Sequence, residues 1–155
     1  ATKGGQRLII NEADKAALKM ADELIQEAGQ YELAKGFQEI SAVLPFNLGQ
    51  KFTKNLESKF QAHKIFEKQA FEHYRNVFGK QGLDEAIAKS PSVILTEVEH
   101  QAITKKLNDF WRDVAKQPEG YKVPQKKLRE FYHEVYKDHP HWLQAMEHLI
   151  RQVPK

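Results

Sequence analysis

Residues Ser92–Ile103 read SVILTEVEHQAI, and the fold turns on how this stretch is divided. Ser92–Leu95 is apolar and β-branched, too short for a helix, and follows Ser90-Pro91, so it reads as a short strand. Thr96–Glu99 reads TEVE. A threonine hydroxyl at the N-cap with a glutamate three residues on is a capping box, which opens a helix. That helix is expected to bury Val98, Ala102, Ile103, Leu107, Phe110, Trp111 and Val114, and it carries His100 in its first turn.

A strand needs a partner, and the candidate lies upstream in QAHKIF, Gln61–Phe66. Ala62–Phe66 reads as a strand or an extended loop. Pairing it with SVIL would bring His63 towards the helix that carries His100. Around this centre the periodicity is helical. Asn11 can cap a helix with a stripe of Ala17, Leu18, Ala21, Leu24, Ile25 and Ala28, closed by Gly29. A second helical pattern runs through Leu33, Ala34, Phe37, Ile40 and Leu44 until Pro45 stops it. From Phe46 to Gln61 periodicity fades. A helix then follows from Phe66 to Gly79, with a brief helical turn at Leu83–Ile87. Pro124 and Pro140 sit near the starts of two further helices. Leu128, Phe131 and Val135 line the first; Trp142, Leu143, Met146, Leu149 and Ile150 line the second. The expected fold is mainly α: a helical domain with a small central β-hairpin followed by a helix. One domain is expected over 1–155, comprising a helical hairpin (1–45), a central unit (46–117) and C-terminal helices (118–155).

Composition bounds the chemistry. At 155 residues, with 41% hydrophobic and 29% charged residues, the chain can bury a core of its own. It lacks any apolar run near the length of a membrane span, so no membrane insertion is expected. The start at Ala1, without an apolar signal segment, reads as a fragment of a longer polypeptide. With no cysteine, disulfides, thiolate zinc sites and cysteine nucleophiles are excluded. Any metal would be held by histidine, carboxylate or other oxygen ligands. The net charge of +3 and pI near 9.0 permit a polyanionic partner without requiring one.

Seven histidines carry the question of a site. The helix dipole at His100 disfavours imidazolium and keeps a lone pair available. Its ring is either a metal ligand or a core histidine bonded to a backbone carbonyl. His63, beside apolar Ile65 and Phe66, is either the second ligand or an exposed loop residue. His73, His133, His139, His141 and His148 read as structural. Walker, HExxH, GxSxG and dinucleotide signatures do not occur. Lysines 51, 54, 59, 64 and 68 set against Glu57 and Glu67 give a local balance of +3, with Lys105-Lys106 and Lys126-Lys127 as further phosphate-binding candidates or simply solvated faces.

Taken together, QAHKIFEKQAF, GLDEAI, SVILTEVEHQAI and LNDFW resemble the HNH/endonuclease VII superfamily (His-Me finger, ββα-metal). The likeness is to the helix-rich nuclease domains carried by bacterial polymorphic toxins, and it covers residues 61–112. The resemblance implies a metal-dependent endonuclease that hydrolyses phosphodiester bonds, with DNA the favoured substrate and RNA open. It implies a divalent ion (Mg, Mn, Ni or Zn) on His63 and His100, and catalytic roles for His63 and Lys64. Thr104 stands where relatives often have another histidine and would hold a water or contribute nothing. Lys59 and Lys68 are the candidate phosphate contacts; Asn108 and Trp111 match structural positions. The same likeness implies a delivered effector acting in the cytoplasm of a competing cell, neutralised by a cognate immunity protein.

Lys64 departs from the family pattern, which has a histidine there as general base. An ordinary lysine is protonated at neutral pH and cannot accept a proton. Burial beside a divalent cation would depress its pKa and free the amine. A protonated Lys64 would instead grip the phosphate. Lys64 is otherwise a silencing substitution, or a one-residue offset makes His63 the base. The rival reading is a non-catalytic helical protein-binding module or decayed nuclease. A membrane-acting helical toxin has little support, as no helix is apolar enough.

Overall fold

The computed structural model describes residues 9–10 and 15–155. The cap expected at Asn11 lies outside the described residues, as do the side chains of Ala17 and Leu18. The described chain is mainly helical with one small antiparallel sheet. Helices α1 (Lys15–Ala28) and α2 (Gln30–Ile40) form the expected hairpin about Gly29, whose φ of +81° suits glycine. Strand β1 (Val43–Pro45) and helix α3 (Phe46–Thr53) follow, then strand β2 (Phe60–Lys64). Helices α4 (Lys68–His73), α5 (Arg75–Phe78) and α6 (Leu83–Lys89) lead to strand β3 (Pro91–Thr96). The chain ends in α7 (Glu97–Ala115), α8 (Gln125–Val135) and α9 (Pro140–Ile150).

The strand order is β1-β3-β2, with β3 antiparallel to both neighbours. The expected pairing of the His63 segment with SVIL is present, in a register that sets His63 opposite Val93 and Lys64 opposite Ser92. Alternation along β3 sorts its side chains onto two faces. Ile94 joins Leu44, Leu48, Phe52 and Phe60 in a core beneath α1–α3. Val93 and Leu95 join a larger core with Phe66, Phe71, Trp111, Tyr132, Tyr136 and Trp142. Burial on both faces is why SVIL is an unbroken apolar run rather than an alternating one. Gly49 lets α3 lie directly on the sheet: a Cβ there would come within 2.9 Å of Ser92 Oγ and 3.3 Å of Ala62 Cβ.

Several elements differ from expectation. The second helix stops at Ile40, not Pro45, because Val43 and Leu44 are fully buried and pair with Val93 and Ser92. Ser41, in the left-handed region (φ 52°), turns the chain between them and accepts a hydrogen bond from Trp142 Nε1 at 3.0 Å. Helix α3 falls where periodicity fades: it buries Leu48, Gly49, Phe52 and Thr53, with Lys51 exposed among them. The helix expected over Phe66–Gly79 is broken at Tyr74 (φ −105°, ψ 35°). On α7 the buried face is Leu107 and Trp111, while Val98 (77% exposed) and Ala102 face solvent. On α8 the fully buried stripe is Leu128, Tyr132 and Tyr136, with Phe131 and Val135 at its margin. The two prolines do start α8 and α9, Pro124 as N-cap and Pro140 within the first turn. Among the described residues no helix is long and apolar enough to cross a membrane.

Phe66 is fully buried and packs edge-on against Phe71 and Phe78. Phe66→Ala is therefore expected to cost about 3–5 kcal/mol of unfolding free energy. Thr96 and Glu99 complete the capping box in both directions, and Thr96→Ala is expected to cost only about 1 kcal/mol. Urea denaturation of the two variants checks both the magnitudes and their order.

Candidate functional site

Strand alternation points Gln61 and His63 towards α7–α9, and Lys64 towards the opposite face. The His63 ring, 3% exposed, is enclosed by aromatic neighbours. Its centroid lies 5.2 Å from that of His100, 6.0 Å from Tyr136 and 6.3 Å from Trp142. His63 Nε2 is 2.9 Å from the Tyr136 hydroxyl, which donates to the Ile65 carbonyl at 2.8 Å. The capping box at Thr96 fixes where α7 begins, and so sets His100 at the end of the sheet beside β2. His100 Nδ1 is hydrogen-bonded to Gln61 Oε1, and Gln61 Nε2 donates to the Glu57 carbonyl at 2.8 Å. The bonds to both histidines come from side chains, not from the backbone carbonyl considered for His100.

The two imidazoles open onto a cleft of about 170 Å³, whose walls include Lys64, Glu67, Lys68 and Thr104. Five of the six expected site residues thus line one cleft: His63, Lys64, Lys68, His100 and Thr104. Lys59 is exposed at the entry to β2 and is not among the lining residues. Lys64, last residue of the edge strand β2, carries its Nζ 3.9 Å from the centroid of the Phe46 ring. A shallow groove continues from the cleft along α7, past His100, Thr104, Lys105, Asn108 and Arg112. Lys105 and Arg112 share Asp109 as ion-pair partner, at 3.0 and 2.9 Å.

Electrostatics divides the cleft into neutral and charged halves. Burial, with the charges of His100 and Lys64 adding to it, pushes His63 down to about 3, so the ring is neutral at physiological pH. Burial and Lys64 lower His100 as well. Burial, then Lys68, lower Lys64, while Glu67 opposes them. The Phe46 ring also favours the ammonium form. Glu67 is a buried carboxyl whose oxygens accept from Tyr132 Oη and, at 2.9 Å, from Trp111 Nε1. Burial raises its pKa, and those hydrogen bonds and Lys64 pull the other way.

Two neutral imidazoles in contact, each hydrogen-bonded through one nitrogen, form a donor set that fits a divalent cation. Among the described residues no group of three or more His, Cys, Asp or Glu is placed to hold a metal ion. The pair would therefore take further ligands from water, substrate or neutral side chains. The remaining histidines do other work. His73 Nε2 accepts the Val123 amide at 3.0 Å, His139 stacks on Trp142 at 3.9 Å, and His141 Nε2 lies 3.1 Å from the Ser41 carbonyl. His133 and His148 are exposed.

Glu67, Tyr132, Tyr136 and Gln61 are the residues that sequence reasoning did not assign to the site. Tyr132 and Tyr136, four apart in helical register with Leu128, gave a usable signal of a buried aromatic stripe. Nothing local connects Tyr136 with His63. No protein-family model, curated protein or solved structure matches the chain.

In metal-free protein the unfolded chain takes up a proton on His63 near pH 6.5, whereas the folded ring resists protonation down to about 3. Stability is thus expected to fall as pH drops through that window, by up to about 5 kcal/mol from this ring. His63→Gln should flatten the acid limb of urea midpoints measured between pH 7 and 4. An unchanged slope would mean that the ring is not held neutral.

Proposed function

We propose that the chain is a divalent-metal-dependent phosphodiesterase acting on nucleic acid, DNA being favoured by the resemblance to ββα-metal nucleases. One observation carries this reading: an antiparallel β2–β3 pair followed by the capped helix α7 sets the His63 and His100 rings 5.2 Å apart at a cleft. Lys68 at the start of α4 and Lys64 on Phe46 supply positive charge beside the pair. From the resemblance alone we extend the reading to a toxin domain delivered into a competing cell. Its cognate immunity protein would then cover the cleft or the basic surface around it.

His63 and His100 would hold the ion. Bound there, a divalent cation polarises the scissile phosphate and stabilises the leaving oxyanion. His63 suits a ligand better than a base, because a ring this reluctant to protonate is a weak proton acceptor. Lys64, stacked on an aromatic face that favours its charge, suits a phosphate clamp better than a proton acceptor. The α7 groove, with Thr104, Asn108 and Arg112 along it, offers a path for the strand beyond the scissile bond.

Cleavage of plasmid DNA and of RNA, tested with Mg²⁺, Mn²⁺, Ni²⁺ and Zn²⁺, is expected to be abolished by EDTA and by His100→Ala. Absence of cleavage with every metal and both substrates would favour the non-catalytic binding module. Lys64→Ala should lower kcat/KM by about 10²-fold, the size of effect seen when one charge-stabilising donor is removed. Lys64→Arg discriminates the two roles for this residue. Arginine keeps the charge and the aromatic contact but cannot act as a base. Retained activity supports the clamp, and complete loss supports a proton acceptor.

A further inference from the structure

A neutral imidazole has one protonated nitrogen and one lone pair, and which is which decides where it can bind or accept. Here the surroundings of both rings answer that question through hydrogen-bond accounting. The Tyr136 hydroxyl has one proton and two polar neighbours, the Ile65 carbonyl at 2.8 Å and His63 Nε2 at 2.9 Å. A carbonyl can only accept. Both contacts are satisfied together when the phenol proton goes to Ile65 and His63 Nε2–H donates to the phenol oxygen. Tyr136 is fully buried, so water cannot substitute for either bond.

At His100 a side-chain amide sets the tautomer. Gln61 Nε2 donates to the Glu57 carbonyl at 2.8 Å, leaving Oε1 to face His100 Nδ1. Reversing the amide would set two oxygens against each other at Glu57. Oε1 can only accept, so Nδ1 carries the hydrogen. This is the less common tautomer of histidine in water, where Nε2–H predominates, so Gln61 holds His100 against its intrinsic preference.

We propose that Tyr136 and Gln61 are positioning residues that lock the paired imidazoles in opposite tautomers, Nε2–H on His63 and Nδ1–H on His100. The lone pairs left for a cation are then His63 Nδ1 and His100 Nε2. The use of those lone pairs rests on the metal reading above; the lock itself does not. It explains why His63, the most enclosed histidine of the pair, needs a tyrosine from α8–α9 as neighbour rather than an apolar residue of the same size.

The test is long-range ¹H–¹⁵N NMR of the metal-free full chain at neutral pH, which distinguishes protonated from unprotonated ring nitrogens. The expected spectrum shows Nε2 protonated on His63 and Nδ1 protonated on His100. The opposite tautomer on either ring overturns the proposal. Gln61→Leu should shift His100 towards Nε2–H and weaken calorimetric Zn²⁺ binding about 10–100-fold. A His100 that stays Nδ1–H in that variant removes Gln61 from the role. Tyr136→Phe should abolish the slowly exchanging Nε2–H signal of His63, and its persistence removes Tyr136. If the wild-type tautomers are as stated but Zn²⁺, Ni²⁺, Mn²⁺ and Mg²⁺ all fail to bind, the lock stands and the phosphodiesterase reading fails.

Discussion

Strand β3 is hydrogen-bonded along both edges and buried on both faces, and the rest of the molecule is arranged by that requirement. A strand with no polar face can exist only between two apolar layers. Helices α1–α3 supply one, and the aromatic stripes of α7, α8 and α9 supply the other. The same strand hands its chain directly to α7 through the capping box, so the position of His100 follows from the position of β3. His63 is fixed independently, by its register opposite Val93. The approach of the two rings is thus a consequence of sheet register and helix capping together, neither of which involves a ligand.

The parts of this arrangement that were legible in the sequence are those with local causes. SVIL announces a buried strand by composition, TEVE announces a helix start by its hydrogen bonds, and Pro124 and Pro140 mark helix starts by their missing amide hydrogens. What was not legible depends on partners distant in the chain. Val43–Pro45 looks like the end of a helix until β3 offers it a pairing edge. Helix α3 looks structureless because only Leu48 and Phe52 among its large apolar residues are buried, too few to set a helical period. The rings of Tyr132 and Tyr136 fit a buried stripe with Leu128, but the acceptors of their hydroxyls, Glu67 and the Ile65 carbonyl, lie 65 and 71 residues upstream. The pair His63 and His100 was readable as a pair; the side chains that hold their nitrogens were not.

The cleft also joins two electrostatic regimes that ordinarily exclude one another. On one side lie uncharged imidazoles walled by aromatic rings; on the other, the ammonium of Lys64 and a carboxyl buried at Glu67. Glu67 would be costly to ionise without partners, and its two donors, Tyr132 and Trp111, come from α8 and α7. That single side chain therefore pins both helices to the turn that follows β2. Its charge opposes the depression of Lys64. Packing and charge placement here are one problem with one solution.

The contact between Tyr136 and His63 spans 73 residues, and that between Trp142 and Ser41 spans 101. Contacts of such separation are slow to form, because closing so long a loop costs entropy before the contact repays it. Polypeptides are made from the N-terminus, so during synthesis the segments that carry His63 and His100 precede the Tyr136 and Trp142 rings that enclose His63. Without α8 and α9, His63 lacks the Tyr136 and Trp142 rings beside it, and with them part of the burial that lowers its pKa. The enclosure of His63 is therefore completed by rings 73 and more residues downstream of it.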